Sequence, residues 1–393
     1  MRPSAIMLSP VPASATSDPV LSKGPPAEEA CGILAIDLAA IEANYRMLSK
    51  TAVPAECAAV VKADGYGLGL EPVAARLRDA GCTTFFVADL SEGKRLREAV
   101  TDATIYVLNG LPPGTGQAFL KHNLRPVIGS SGELAEWDAV AGINNWDGGF
   151  ALHVDTGMNR LGLSIEEAAA IAPRVNLANN GIKLVMSHFV ASQVAESQRN
   201  QEQMQAFREV RALFQGVPAS IANSSGIFLG GAAHLDLVRP GAALYGVNPT
   251  PNKPNPMRPV IDLKVRIAQV RDIAFGETVG YDATWTTRRP SRIAVATMGY
   301  ADGFPRAQSG SDQKAGGTLI VNGKACPIVG RISMDLTAID VTDLPVGSVK
   351  RGDLVTVIGD GRDVDATAEM LETIGYEVLT SLGRRYTRLY KGD

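Results

Sequence analysis

The sequence of 393 residues lacks most of the features that would place it in a specialised class. Its four cysteines are scattered without paired spacing, which favours free thiols in a reducing compartment over a disulfide framework. Its four histidines form no pair at helical spacing, which argues against a zinc or iron site. The net charge of −3 and the lack of a basic stripe argue against a nucleic-acid partner. No run approaches the roughly 20 apolar residues that a membrane span needs.

Residues 1–30 are rich in Pro, Ser and Ala, which predicts a flexible N-terminal extension. An export signal is the competing interpretation, because the PASA stretch resembles a cleavage site. Its apolar part is short and is interrupted by Pro10 and Pro12, and its basic start consists of Arg2 alone. We therefore expect a cytoplasmic protein without a membrane partner.

Short apolar runs alternate with helix-like segments from about residue 57 to about residue 245. This alternation predicts parallel strands and an α/β class, with about eight units forming a (β/α)8 TIM barrel over residues 31–255. A doubly wound open sheet is the alternative, but the glycines of GYGLG are preceded by Lys62 and followed by no suitably spaced acid. The predicted barrel strands are CAAVVK, TTFFVA, TIYVLN, RPVIG, FALHVD, KLVMSHF, ASIANS and LDLVRPG.

The remainder of the chain, residues 256–393, has a different pattern. Helical periodicity largely disappears, and strand-like runs are separated by turn signals such as the NG and DG pairs. This pattern predicts a mostly β C-terminal domain, joined to the barrel by the Pro-rich linker TPNKPNPMRP, residues 250–259.

The segment AAVVKADGYGLG, residues 58–69, ends a predicted barrel strand at Lys62. A solvated strand-end lysine is the ordinary interpretation, but other strands end near Arg160, His188, Ser224 and Arg239. Barrel enzymes carry their reactive groups at these strand ends. The set suits a phosphorylated cofactor with a carbonyl group, because the lysine would form a Schiff base and hydroxyls and glycine amides would bind the phosphate.

Nine ordered segments resemble the pyridoxal-phosphate-dependent alanine racemases, from about residue 33 to the C-terminus. They are VVKADGYG, VDTGMNRLG, MSHF, NSSG, LVRPGAALYG, GETVGYDATW, GYADGFPR, VGRISMDLTAIDV and TIGYE. The resemblance implies an isomerase that interconverts L- and D-alanine for peptidoglycan precursors, with pyridoxal 5'-phosphate as cofactor and no metal. It also implies a homodimer with shared active sites, in which the strand ILAID, residues 33–37, pairs with the β domain.

The same resemblance implies roles for individual residues of this chain. Lys62 would carry the cofactor, and Arg160 and the backbone of Met334 would orient the substrate. The predicted cofactor-binding residues are Lys62, Tyr66, Arg160, His188, Ser224, Arg239, Gly241, Ala242 and Tyr376. The predicted catalytic pair is Lys62 and, from the partner subunit, Tyr281.

Racemisation moves a proton from one face of Cα to the other, which two groups on opposite faces can do. Free lysine and tyrosine side chains titrate near about 10, so the site has to make them better bases by desolvation or nearby cations. Arg239 would face the pyridine nitrogen of the cofactor, steadied by His188. A guanidinium will not transfer its proton to that nitrogen, which weakens the electron sink and suppresses transamination.

Three departures from the family pattern are present. His153 stands where many members have a lysine that is sometimes carbamylated, so what positions Arg160 is open. Leu68 stands in place of a histidine and is expected to leave a slot near the cofactor more apolar, and Gly375 stands in place of an asparagine. A serine or broader-specificity racemase, and a non-catalytic cofactor-homeostasis barrel, are the alternative functions.

Overall fold

The described part of the computed structural model comprises residues 22–177 and 181–392. It begins with the strands β1 (Ser22–Lys23) and β2 (Gly32–Asp37) and helix α1 (Leu38–Ala52). Asp37 caps α1, because its carboxylate accepts a hydrogen bond of 2.8 Å from the amide of Ala40. A flexible extension was predicted over residues 1–30, of which residues 1–21 lie outside the described part. Strand β1 falls within the remaining residues of this extension and pairs antiparallel with a strand near the C-terminus.

The next part of the chain is a curled sheet of parallel strands. Its strands are β3 (Glu56–Cys57), β4 (Ala59–Val60), β5 (Thr84–Val87), β6 (Thr104–Val107), β7 (Arg125–Ile128), β8 (Phe150–His153), β9 (Ile182–Met186), β10 (Ala219–Ser220) and β11 (Leu237–Val238). Seven of them follow in the order β10-β9-β8-β7-β6-β5-β4, and β11 pairs with β3. The amide of Arg239 donates to the carbonyl of Ala222 at 2.9 Å, which links β11 to the β10 side and closes the ring.

Helices follow the strands of this ring, and all but the first, a short segment at the strand ends, cover its outside. They are α2 (Lys62–Tyr66), α3 (Leu70–Asp79), α4 (Leu90–Ala99), α5 (Gly116–Lys121), α6 (Ser131–Ile143), α7 (Ile165–Leu177) and α8 (Gln198–Leu213). The strands are mostly apolar, as in the buried run TFFV of β5, because both faces of the sheet are covered. The predicted (β/α)8 barrel is therefore confirmed.

The C-terminal part is mostly β, as predicted, and contains two short helices. Its elements are β12 (Ile261–Ile273), β13 (Thr278–Val279), β14 (Trp285–Thr286), β15 (Ser291–Ala296), β16 (Thr318–Val321), β17 (Lys324–Pro327), β18 (Thr337–Asp340), β19 (Leu354–Ile358), α9 (Val364–Met370), α10 (Gly375–Thr380) and β20 (Thr387–Lys391). The first half of β12 alternates buried and half-buried residues, which is typical of a strand with one face on a core.

The large sheet of this part runs in the order β1-β20-β2-β12-β19-β16-β17, with β15 pairing β12 and β18. Strand β2, from the N-terminal end of the described chain, lies between β20 and β12. Since α1 follows β2 directly and packs on the barrel, this strand ties the two parts together. Helix α10 lies over the end of the barrel where the parallel strands finish, which places it beside the site described next.

Candidate active site

A cavity of about 800 Å³ lies between the carboxyl ends of the barrel strands and helix α10. Because parallel strands end at the same edge, side chains that follow different strands meet there. Nine of the residues predicted for the site line it: Lys62, Tyr66, Arg160, His188, Ser224, Arg239, Gly241, Ala242 and Tyr376. The geometry thus assembles most of the set that the sequence motifs single out.

Lys62 is the first residue of α2, and the chain then makes a left-handed turn. Ala63, Asp64, Gly65 and Tyr66 have φ values of 53°, 54°, 62° and 54°. A left-handed conformation costs about 1–2 kcal/mol for each non-glycine residue, so the surrounding structure has to hold this turn in place. The consequence is that Lys62 and Tyr66, only four positions apart, both reach the cavity.

The amine of Lys62 lies in a partly buried position. Burial lowers its pKa below the ordinary value, and the positive charge of Arg160 acts in the same direction, while Glu92 opposes them. A lowered pKa makes the uncharged amine, which is the nucleophilic and basic form, more abundant at neutral pH.

Arg239 is 4% exposed and lies at the bottom of the site. Its guanidinium donates to the hydroxyl of Ser220, to the carbonyl of Ser187 at 2.6 Å, and contacts Nδ1 of His188 at 3.4 Å. These partners carry no negative charge. Burial lowers the pKa of Arg239 to about 9, which is below the ordinary value of a guanidinium but still leaves the side chain protonated at neutral pH.

Two imidazoles flank this cation. The pKa of His188 falls to about 3 and that of His153 to about 4, in each case first through burial and then through the charge of Arg239. Both rings are therefore uncharged at neutral pH. His153 consequently does not repel Arg160, although it provides no anion where many family members carry a carbamylated lysine.

One end of the cavity is rich in hydroxyls and amides. The hydroxyl of Ser224 accepts hydrogen bonds from the amides of Gly241 at 3.0 Å and Ala243 at 3.2 Å. Tyr66 and Tyr376 face each other there, with ring centroids 6.4 Å apart. A side chain at position 241 would overlap the hydroxyl of Tyr66, so the close approach requires glycine.

Tyr281 and Met334 are the predicted site residues that do not line this cavity. Tyr281 is 67% exposed and Met334 is 53% exposed, both on the C-terminal part. The segments that carry them adjoin each other, since a Cβ at Gly280 would lie 2.9 Å from the backbone nitrogen of Arg331, which precedes Met334 by three positions. Arg331 also pairs with Asp282, next to Tyr281.

The expectation for Leu68 is wrong. Leu68 is fully buried in the core and does not line the cavity. Gly375 fits closely, since a Cβ there would lie 3.0 Å from a carboxylate oxygen of Asp365 and 3.1 Å from Val247. Any larger side chain at this position would therefore displace its neighbours.

The cavity also contains residues that sequence reasoning missed. Asn109 follows β6 and Glu377 lies next to Tyr376 on α10. The strand-end rule could have identified Asn109, whereas helical periodicity gave no sign of α10. Within residues 22–177 and 181–392, no group of three or more His, Cys, Asp or Glu side chains could hold a metal ion. No helix in these same ranges combines the length and apolar character required to cross a bilayer.

Comparison with known proteins identifies relatives over nearly the whole chain. The family described as alanine racemase, N-terminal domain, matches residues 36–249, and the family described as alanine racemase, C-terminal domain, matches residues 260–390. The chain is 51% identical to the alanine racemase of Methylobacterium nodulans, over 91% of this chain and 95% of the relative. It is 43% identical to a biosynthetic alanine racemase of Agrobacterium fabrum, over 91% of this chain and 93% of the relative.

Among solved structures, the chain resembles an alanine racemase from Bartonella henselae that carries covalently bound pyridoxal phosphate. The TM-score is 0.87 and the sequence identity is 39%, covering 92% of this chain and 100% of the other. The order of the domains and the closed parallel barrel thus have a close experimental counterpart.

Proposed function

The chain belongs to the alanine racemase family, and from this premise we propose that it interconverts L- and D-alanine with pyridoxal 5'-phosphate as its cofactor. The observation that carries the proposal is the partly buried amine of Lys62, which shares one cavity with the Arg239 guanidinium, protonated at neutral pH, and with a group of hydroxyls and amides. This combination matches the three functional parts of the cofactor, namely its carbonyl carbon, its ring nitrogen and its phosphate.

The residues of the cavity fit this cofactor. Lys62 would bond to its carbonyl carbon, and Arg239 would face its ring nitrogen. Its phosphate would be held by the Ser224 hydroxyl, the backbone around Gly241 and Ala242, and the phenols Tyr66 and Tyr376. When bound, the cofactor supplies an electron-withdrawing ring that acidifies the hydrogen on Cα of the amino acid.

Arg239 would limit how strongly the ring withdraws electrons. Its guanidinium remains protonated at neutral pH and donates to neutral partners, so it has no tendency to give a proton to a weakly basic pyridine nitrogen. His188, uncharged beside it, adds no second proton source at neutral pH. This favours return of the proton to Cα over transfer to the cofactor, and therefore racemisation over transamination.

Lys62 and Tyr281 would exchange the proton on opposite faces of Cα. Arg160 and the backbone of Met334 would orient the substrate carboxylate and the cofactor. Since Tyr281 and Met334 are exposed on their own chain, we infer that they enter the cavity of a second copy, which makes the working unit a homodimer. Their adjoining segments and the Arg331–Asp282 ion pair support the view that they are presented together.

The proposed biological role is the supply of D-alanine for peptidoglycan precursors in the cytoplasm. The four cysteines are thiols, which suits a reducing compartment. The proposed division is residues 1–30 as an extension, residues 31–255 as the cofactor-binding barrel with residues 33–37 in the β sheet, and residues 256–393 as the β domain. Growth of a deletion strain without added D-alanine would contradict the biosynthetic role.

The direct test is a panel of amino acids incubated with the purified protein and pyridoxal 5'-phosphate in heavy water. We expect L- and D-alanine each to gain deuterium at Cα and to converge on equal amounts, because enantiomers have equal free energies. Faster exchange of serine than of alanine would favour a serine or broader-specificity racemase. Cofactor absorbance without exchange of any amino acid would favour a cofactor-homeostasis protein.

A further inference from the structure

Several contacts on the barrel side hold the left-handed turn after Lys62. The carboxylate of Glu92 accepts a hydrogen bond of 3.1 Å from the amide of Asp64 and a second, of 2.9 Å, from the amide of Ala88. Asp64 in turn pairs with Arg95 at 2.6 Å. These contacts fix the beginning of the turn to helix α4, but they leave its far end, at Gly67, to be held by something else.

Arg388 of strand β20 holds that far end. Its Nε and one terminal nitrogen donate to the carbonyl of Gly67 at 3.3 and 3.1 Å. The same guanidinium donates to the carbonyls of Leu382 and Gly383, each at 3.2 Å. Arg388 is 8% exposed, so this buried cation is compensated by backbone carbonyl dipoles at three positions.

The carbonyls of Leu382 and Gly383 belong to the segment that follows helix α10. Leu379 lies near the end of α10, and a Cβ at Gly67 would overlap its carbonyl oxygen, so turn and helix are in direct backbone contact. Tyr66 lies in the turn and Tyr376 lies in α10. Arg388 therefore spans the two elements that bring these phenols to within 6.4 Å of each other.

We propose that Arg388 is a positioning residue for the cofactor: it holds the left-handed turn of Lys62 and Tyr66 at a fixed distance from helix α10 and Tyr376. Arg388 does not line the cavity, so it acts only through these elements. The proposal rests on the proposed function, since it assumes that both phenols face the cofactor phosphate. Strand β20 of the C-terminal part would thereby help to assemble a site that otherwise lies at the barrel mouth.

The test compares Arg388→Met and Arg388→Lys with the matched control Arg362→Met. Arg362 is half-buried and, like Arg388, donates to a backbone carbonyl, that of Thr318 at 2.8 Å, but it does not line the cavity or contact the turn. Two properties of the apoenzyme are measured: hydrogen exchange of the amides of residues 63–69, and the dissociation constant for pyridoxal 5'-phosphate by absorbance titration.

For Arg388→Met we expect hydrogen exchange of the amides in the turn to accelerate by about tenfold or more, because hydrogen bonds from a charged donor are lost. The dissociation constant for pyridoxal 5'-phosphate should rise by a similar factor. Arg388→Lys should lie in between, since one ammonium reaches fewer carbonyls. Arg362→Met should leave both properties unchanged while it lowers the unfolding temperature.

The proposal is overturned if Arg388→Met lowers the unfolding temperature as Arg362→Met does but binds the cofactor like the unaltered protein. If neither Arg388 variant folds, Arg388→Gln decides, because its shorter side chain keeps an amide donor without the buried charge. Arg388→Gln should then change both properties in the same direction, and unchanged values would contradict the proposal. Failure of the unaltered protein to bind the cofactor would instead contradict the proposed function, while the exchange measurement still reports on Arg388.

Discussion

Arg239 and His188 contact each other at 3.4 Å, between a guanidinium nitrogen and Nδ1 of the ring. A guanidinium can only donate, so Nδ1 accepts and the neutral ring carries its proton on Nε2. The pair therefore has one orientation and one charge state at neutral pH, which keeps Arg239 directed at the centre of the site.

The pH dependence of stability should report the titration of the two imidazoles beside Arg239. Between about pH 6.5 and pH 4 the unfolded chain binds protons at His153 and His188, whereas the folded chain does not, because their pKa values fall to about 4 and about 3. Stability therefore decreases as the pH falls through this interval, by roughly 1–2 kcal/mol for each imidazole between about pH 6.5 and 5. Denaturant unfolding of the apoenzyme at several pH values measures this decrease in the free energy of unfolding.

The variant His153→Gln should flatten this dependence by about the contribution of one imidazole. The control is His122→Gln, because His122 caps helix α5 away from the cavity. An unchanged slope for His153→Gln would show that His153 already titrates normally in the folded chain.

Replacing the cation at the centre of the site should change the reaction. In Arg239→Glu a carboxyl group would share a proton with the ring nitrogen, so electron withdrawal strengthens and transamination should rise relative to racemisation. The measurement is the ratio of pyruvate formed to D-alanine formed from L-alanine. Arg239→Lys keeps the charge and should show no such rise, and an Arg239→Glu enzyme that forms no pyruvate or pyridoxamine phosphate would refute the electron-sink argument.

Removing the amine should abolish cofactor attachment. Lys62→Ala is expected to lose both the visible absorbance of the attached cofactor and all racemisation. The matched control is Lys183→Ala, an exposed lysine of strand β9, which should behave like the unaltered protein. Normal absorbance in Lys62→Ala would mean that another lysine carries the cofactor.

Removing the second base should separate binding from turnover. Tyr281→Phe is expected to retain the absorbance but to lose turnover by about 100-fold or more, the usual contribution of a positioned acid–base group. Tyr45→Phe also removes one hydroxyl, which donates to the carbonyl of Cys57 away from the cavity, and should keep most of the activity. Sedimentation of the active species tests the shared site, because an active monomer would rule out Tyr281 from a partner.

The barrel could be predicted from sequence because its signal is local. Runs such as TFFV and FALH are mostly apolar, and the strand-end rule then placed Lys62, His188 and Arg239 at one mouth. The rest of the fold depends on contacts between segments that are distant in the sequence. Helix α10 is short, and neither its existence nor its position over the mouth has a signal in periodicity.

Residue roles were predictable only in part for the same reason. Leu68 was expected near the cofactor because it stands where many family members have a histidine, but it is fully buried in the core and does not line the cavity. Likewise, the shifted pKa values of His153 and His188 arise from burial beside Arg239, which no spacing in the sequence reveals.

The placement of β2 between β20 and β12 has a consequence for biosynthesis. The ribosome makes this strand before the whole barrel, yet both of its hydrogen-bonding neighbours emerge only afterwards. The barrel can close during translation, whereas β2 can form hydrogen bonds on both edges only after β12 and β20 have been synthesised. A truncated product that ends after the barrel would therefore expose two unpaired strand edges, which invites aggregation and proteolysis.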